Sequence, residues 1–371
     1  MKPHLYINHK GYPVTRHSYS GSESFDYCAR KYYLERVQGW AQKEQRSSTF
    51  FGKALEAAVT FWHRNSEDIV RAVAEFNRLW AEHEGKDYTY SKFDKDWGTL
   101  SLDGQELLRL YAIYYPTFPY IVNNPDDFQV ENNFEVFPDT KLAGIEFTSY
   151  IDLIAQLKGS KAPLIIDMKT SGKDVPELTA LDPQLRSYSW VKNWPDVAFL
   201  WFRKMGRSIS RGDSVTLLVN RDPFKAGDVA FVLAKDDFGL YLTQDEKLFE
   251  AMEAQFIGES KAVKAARAAF VQANGVSTAE NIITKQRVQF KHVTISEESR
   301  EDIGKSIKRD IVNIARATET DFFPMQSGVR FPNEKCPNCA MRGICSNNPQ
   351  LRDTLVERKQ IDQLDFEADS E

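Results

Sequence analysis

Apolar and aromatic positions recur three to four apart from Ser22 or Ser24 through Phe25, Cys28, Tyr32 and Tyr33, which predicts a serine-capped helix near the N-terminus. A second helix is predicted over about 48–64, with Phe51, Leu55, Ala58, Val59 and Trp62 on its buried side. The spacing returns over 67–83 and 101–115, until Pro116, Pro119 and Asn123-Asn-Pro125 end it. From residue 128 the period becomes two. Segments 128–137, 144–155 and 163–169, separated by turn-forming residues, predict a three-stranded β-meander. A helix at 184–191, strands near 197–203, 213–219 and 228–234, and helices at about 243–273 and 297–317 follow.

Composition narrows the class. The 371 residues are 42% hydrophobic and 27% charged, enough apolar material for one large domain or two ordinary ones. The longest apolar runs, such as 197–202, fall far short of the ~18 residues of a membrane-spanning helix, so no membrane association is expected. Met1-Lys-Pro-His-Leu-Tyr leads into polar residues, not a secretory signal, so a cytoplasmic protein with reduced thiols is expected.

That gives the four cysteines a meaning. Cys336-Pro-Asn-Cys339-Ala-Met-Arg-Gly-Ile-Cys345 is a C-x2-C-x5-C run in a Pro- and Gly-containing loop, a spacing that lets several sulfurs converge on one metal centre. Only three thiols are local, and Cys28 is the remaining one. Either Cys28 completes a four-thiol site, or it is a buried structural thiol and the trio binds zinc with another ligand. Spacing alone separates neither these readings nor zinc from an iron–sulfur cluster.

A second group lies in the meander. Asp167 and Lys169 flank Met168 at the end of the most apolar strand, so the acid and the base share one face. Asp152 sits between Ile151 and Leu153 in the preceding strand. If the two strands pair, Asp152 approaches Asp167, and a hard divalent cation resolves their repulsion. Gln184 and Tyr188, four apart, project from one side of a helix. Glu56 ends Gly52-Lys-Ala-Leu-Glu56, where Gly52 permits close backbone packing.

In this order the motifs resemble the PD-(D/E)XK nuclease superfamily, and within it the RecB-like exonucleases that carry an iron–sulfur cluster, the group of AddB-type and CRISPR-associated exonucleases. Phe25-Asp-Tyr-Cys28-Ala-Arg-Lys-Tyr-Tyr-Leu34 is similar to the family's first cysteine helix, with Ala29 where proline is usual. Gly52-x-x-x-Glu56 is similar to its G-x-x-x-H motif, with glutamate for histidine; a carboxylate still suits magnesium or manganese. Asp152 matches the first acid, Asp167-Met168-Lys169 the second acid and lysine, Gln184-Leu-Arg-Ser-Tyr188 the Q-x-x-x-Y motif, and Cys336, Cys339 and Cys345 the terminal cluster ligands.

The resemblance implies an α/β fold: a restriction-endonuclease-like mixed β-sheet core flanked by helices, with an N-terminal helical region and a C-terminal cysteine loop. One nuclease domain would span 1–349, and 350–371 would be a charged acidic tail. It implies that Glu56, Asp152 and Asp167, with the Met168 carbonyl, bind Mg2+ or Mn2+, that Lys169, Gln184 and Tyr188 assist, and that Cys28, Cys336, Cys339 and Cys345 hold a 4Fe-4S cluster in preference to zinc. The expected activity is metal-dependent DNA exonuclease action at DNA ends or in single strands, in recombination, repair, phage replication or CRISPR spacer processing. No G-x-x-x-x-G-K-[ST] motor motif occurs, so a helicase or recombinase would be a separate partner. The competing classes are a non-catalytic, cluster-stabilised DNA-binding or adaptor subunit and a zinc-binding scaffold. A net charge of −5 does not oppose DNA binding, which depends on local basic groups, here 158–161, 203–211 and 305–309. Nothing in the sequence selects an oligomeric state.

Overall fold

The computed structural model describes residues 3–86, 88–90, 96–124, 126–204, 287–326, 328 and 335–357, and the backbone of strands Ser214–Leu218, Ala230–Asp236 and Gly239–Leu242. A seven-stranded sheet is built from β1 (Arg16–Ser18), β2 (Tyr120–Ile121), β3 (Phe128–Glu135), β4 (Glu146–Leu157), β5 (Pro163–Ser171), β6 (Asp196–Arg203) and β7 (Val288–Thr294). Around it lie α1 (Tyr19–Tyr27), α2 (Ser47–Arg64), α3 (Ile69–Ala81), α4 (Trp97–Tyr114), α5 (Pro183–Lys192) and α6 (Glu297–Glu319). This is the mixed sheet with flanking helices that the motif order implies.

The meander forms as the alternation predicts, β3 and β5 both antiparallel to β4. From β5 the chain crosses through α5 and returns parallel as β6, and β7 closes antiparallel on β6. Leu153 pairs with both Phe128 and Ile166, so β3 and β5 take opposite edges of β4. Phe147 pairs with both Phe134 and His17, which puts β1 on the same edge as β5. β5 covers positions 153–156 of that edge and β1 covers 146–148. Positions 149–152 between them carry no strand among the described residues.

β5 is apolar on both faces because both are covered. Leu164, Ile166 and Met168 pack with the helices α2, α3 and α4, whereas Ile165 packs with Leu185 and Tyr188 of α5. Phe51, Leu55 and Trp62 of α2 are fully buried there, each worth about 1.5–3 kcal/mol. A third core joins Ile303, Ile307, Ile311 and Ile314 of α6 to Ile145 and Phe147. Arg287 is buried at the entry to β7 and ion-pairs with Asp103 and Glu106 of α4, fixing that helix to the sheet. Removing one partner of such a pair strands a charge in the interior.

Two expectations change. The N-terminal helix is capped by Ser18, whose hydroxyl accepts from Gly21 N–H at 3.3 Å, while Ser22 and Ser24 are buried inside it. The helix also breaks at Cys28, which is extended (φ −170°, ψ 119°) between α1 and a short turn at Ala29–Tyr32. At the other end the chain is still paired past position 349: Leu355–Glu357 lies antiparallel to Trp40–Gln42. The strands expected near 213–219 and 228–234 appear as Ser214–Leu218 and Ala230–Asp236 and join Gly239–Leu242 in a separate antiparallel sheet. The helix expected over 243–273 lies outside the described residues. No helix among the described residues is long and apolar enough to cross a membrane.

Candidate active site

The acidic residues gather where strand pairing lapses. The β4–β5 ladder ends at Leu153 and Ile166, so the next positions, Asp152 and Asp167, face each other just beyond it. On the other edge, Phe128 pairs with Leu153 and Val130 with Ile151, but the intervening pair, Gln129 with Asp152, is skipped. The faces switch at the same point. Leu153 and Phe128 pack in the core under α2, α3 and α4, while Ile151 and Val130 pack with α5, although residues two apart in a regular strand share a face. In place of a ladder bond, Asp152 Oδ2 accepts the Met168 N–H at 2.6 Å.

Asp167 is completely buried. Its Oδ2 lies 2.7 Å from Lys169 Nζ, an ion pair out of hydrogen-bond line, and its Oδ1 has no hydrogen-bond partner. Glu56 arrives from α2, and its Oε1 accepts from Gln129 Nε2 at 3.1 Å. Gly52, one turn earlier, sets the closeness of α2 to β5: a β-carbon there would stand 3.3 Å from Thr170 Oγ1. From α5, Gln184 Nε2 donates to Tyr188 Oη at 2.6 Å, so the i,i+4 pair does share one side.

The electrostatics are those of crowded acids. Burial, then the charges of Asp167 and Glu56, push Asp152 well above the usual carboxylate range. Burial also raises Asp167, with Lys169 opposing it, and raises Glu56 against the hydrogen bond from Gln129. Lys169 ends above its usual value because the attraction of Asp167 and Asp152 outweighs the burial of its charge. Burial and the same two aspartates hold Tyr188 as a neutral phenol.

A model of the PD-(D/E)XK nuclease superfamily matches residues 16–346. The chain belongs to this superfamily. Among characterised proteins a search finds no significant match. Membership in the PD-(D/E)XK nucleases implies metal-dependent nuclease chemistry with DNA as substrate.

The residues fit a divalent cation by their donor chemistry. Three carboxylates supply hard oxygen atoms, and Asp167 Oδ1 is a buried oxygen with its hydrogen-bonding capacity unused. Among the described residues, no three His, Cys, Asp or Glu side chains already stand together at ligating distances. The side chain of Met168 packs in the core with Leu200, so only its backbone faces the acids.

The four cysteines, all unpaired, line one cavity of about 190 Å³ with Tyr27, Lys31, Met325, Gln326 and Lys335. Gln326 N–H and Gly328 N–H point at the sulfurs of Cys28 and Cys336, each at 3.4 Å. The break at Cys28 is what turns its thiol toward the C-terminal loop, and that loop is tied down separately: Tyr27 Oη donates to Lys335 O at 2.5 Å and Lys335 Nζ to Tyr27 O at 3.1 Å.

The basic segments behave differently from a bare cationic track. Lys305 lies 3.5 Å from Asp302, and Arg309 lies 3.0 Å from Asp310, so two of the three cations of the 305–309 segment have acidic partners on their own helix. Lys158 Nζ donates to Pro116 O at 2.9 Å, and 205–211 lies outside the described residues. Sequence reasoning missed Gln129 and Arg287. The signal for Gln129 is non-local, a strand residue facing an acid; for Arg287 it is a lone arginine beside an apolar strand.

Proposed function

We propose that the chain is a DNA exonuclease that uses Mg2+ or Mn2+, with Glu56, Asp152 and Asp167 as metal ligands and the Met168 carbonyl as a further oxygen donor. The observation that supports this reading is the lapse of both ladders at Asp152, where Asp152, Asp167, Glu56 and Lys169 lie close enough to shift one another's charge. A bound ion would lower the pKa of a coordinated water and polarise the scissile phosphate.

The protein groups supply the rest. Lys169, kept charged by Asp167 and Asp152, offsets negative charge developing on the phosphate oxygens. Gln184 occupies the acceptor side of the Tyr188 hydroxyl, leaving its proton to donate toward the acids or the DNA backbone. Asp152 is held in place by the Met168 N–H and cannot rotate away without losing that bond.

Cys28, Cys336, Cys339 and Cys345 hold a 4Fe-4S cluster that joins the two ends of the chain and has a structural role. Their convergence on one cavity and the backbone N–H groups aimed at two sulfurs support it. Protein that absorbs near ~400 nm and carries iron agrees with this assignment, and colourless protein with one bound zinc contradicts it. A helicase or recombinase, acting as a separate cytoplasmic partner, would deliver DNA ends.

The test is digestion of end-labelled linear DNA beside covalently closed circles, in Mg2+ and in Mn2+. Shortening of the linear DNA from its ends with intact circles is expected. Cutting of both substrates at internal positions overturns the exonuclease assignment.

A further inference from the structure

We propose that Gln129 is a positioning residue for the carboxylate of Glu56, held in a left-handed backbone conformation so that its amide can reach across to α2. The proposal rests on the reading of Glu56 as a metal ligand and deepens it.

Gln129 lies within β3, yet its φ is +53°, a region that residues with a β-carbon avoid and that is foreign to a strand. Its neighbours Phe128 and Val130 are paired normally with β4, so the departure is confined to one residue. That residue faces Asp152, the one position at which the β3–β4 ladder is skipped. Two features accompany this rotation. Val130 packs in the opposite core from Phe128, as Ile151 does from Leu153 on the partner strand, and the Gln129 Nε2 donates to Glu56 Oε1 at 3.1 Å.

The bond is useful because Glu56 comes from a helix and must meet two acids that come from strands. An amide donor on one carboxylate oxygen fixes the rotamer of Glu56 and leaves the other oxygen for an ion. A purely structural residue at φ +53° is best served by glycine, which occupies that region without steric cost. Glutamine in its place keeps the strain and adds only the amide. Strained conformations of this sort collect at functional sites.

The test compares the full chain with Gln129→Gly, which relieves the backbone and removes the amide, and with Gln129→Met, which keeps the side-chain length without a donor. Calorimetric titration with Mn2+ in the absence of DNA, thermal melting, and the Mn2+ dependence of cleavage are measured together. Gln129→Gly is expected to melt at or above the wild-type temperature, and both variants to bind Mn2+ about tenfold more weakly. Half-maximal cleavage shifts to higher Mn2+ by the same factor, with the rate at saturating Mn2+ close to wild type. Glu56→Gln and Asp167→Asn are titrated beside them. If these two lose Mn2+ binding while both Gln129 variants bind as tightly as wild type, the positioning role falls and the metal site stands. If Glu56→Gln and Asp167→Asn also bind Mn2+ like wild type, both readings fall.

Discussion

The acidic cluster and the cysteine cluster gather side chains that are distant in sequence, but they do so on opposite kinds of scaffold. Asp152 and Asp167 are carried by paired strands with cores on both faces, and Glu56 by a helix of 18 residues. The cysteines sit at a helix break and in turns, with Cys345 in a four-residue helix. A site on regular strands inherits its geometry from the fold and can lose a ligand while the fold persists. A site on turns contributes to the fold in return, adding to the Tyr27–Lys335 hydrogen bonds and the short 40–42/355–357 ladder that join the same segments. The two sites should therefore respond oppositely to mutation, one in activity and the other in stability.

The largest effect expected is on activity without loss of structure. Lys169→Met removes the cation paired with Asp167 and should slow DNA hydrolysis about 10²–10³-fold while the fold is retained. Full activity in that variant would mean that the lysine is only an ion-pair partner.

Next comes stability without direct contact to the reaction. Under the proposed cluster assignment, Cys28→Ala should lower the melting temperature by about 5 °C or more and reduce soluble yield, since the loss of a ligand would undo a chain-closing clip. Wild-type melting of Cys28→Ala would place the thiol outside any metal centre and erase the contrast between the sites.

A smaller effect is set by pH. Glu56, Asp152 and Asp167 have folded-state pKa values raised above those of the unfolded chain, so the metal-free folded state holds the extra protons. Their contribution is favourable below the unfolded carboxylate pKa of about 4 and is lost as pH rises through the raised folded values. Asp310, pushed up to about 6 by burial and by Asp26, has the same sign. Added Mg2+ should raise the melting temperature of chelator-treated protein more at pH 8 than at pH 5, where the ion must displace the protons these carboxylates hold. An Mg2+ shift that is the same at both values would detach the ion from these carboxylates.

The smallest effect is Tyr188→Phe. It deletes the acceptor of the Gln184 amide, at a cost of about 0.5–1.5 kcal/mol, and should slow cleavage only several-fold. Its loss of stability should be clearly less than that of Cys28→Ala.

The two scaffolds also differ in how much of them is legible in sequence. Period two from residue 128 and the apolar face of 48–64 led directly to β3, β4, β5 and α2, because burial on one face leaves a local periodic trace. The approach of Asp152 to Asp167 followed from pairing adjacent strands, and Gln184 to Tyr188 from helical spacing. Gln129 left no such trace: its importance lies in facing Asp152 across a register that only the folded sheet defines. The break at Cys28 was hidden by an aromatic pattern that runs through it, and the pairing of Leu355–Glu357 with Trp40–Gln42 joins segments too short to announce themselves as strands. The charges on 305–309 were legible, but the pairing of Lys305 and Arg309 with Asp302 and Asp310 depended on which side chains the helix brings together.

Asp152, Asp167 and Glu56 are proposed to form a metal-dependent phosphodiester-cleaving site. Its most direct test is the rate of hydrolysis of labelled DNA by wild type and by Asp167→Asn, each with Mg2+ and with a chelator, on samples shown to melt alike. Cleavage that needs both the ion and Asp167 is the predicted result, with the variant slowed at least about 10²-fold. Equal rates for Asp167→Asn and wild type, or cleavage unaffected by the chelator, would contradict it.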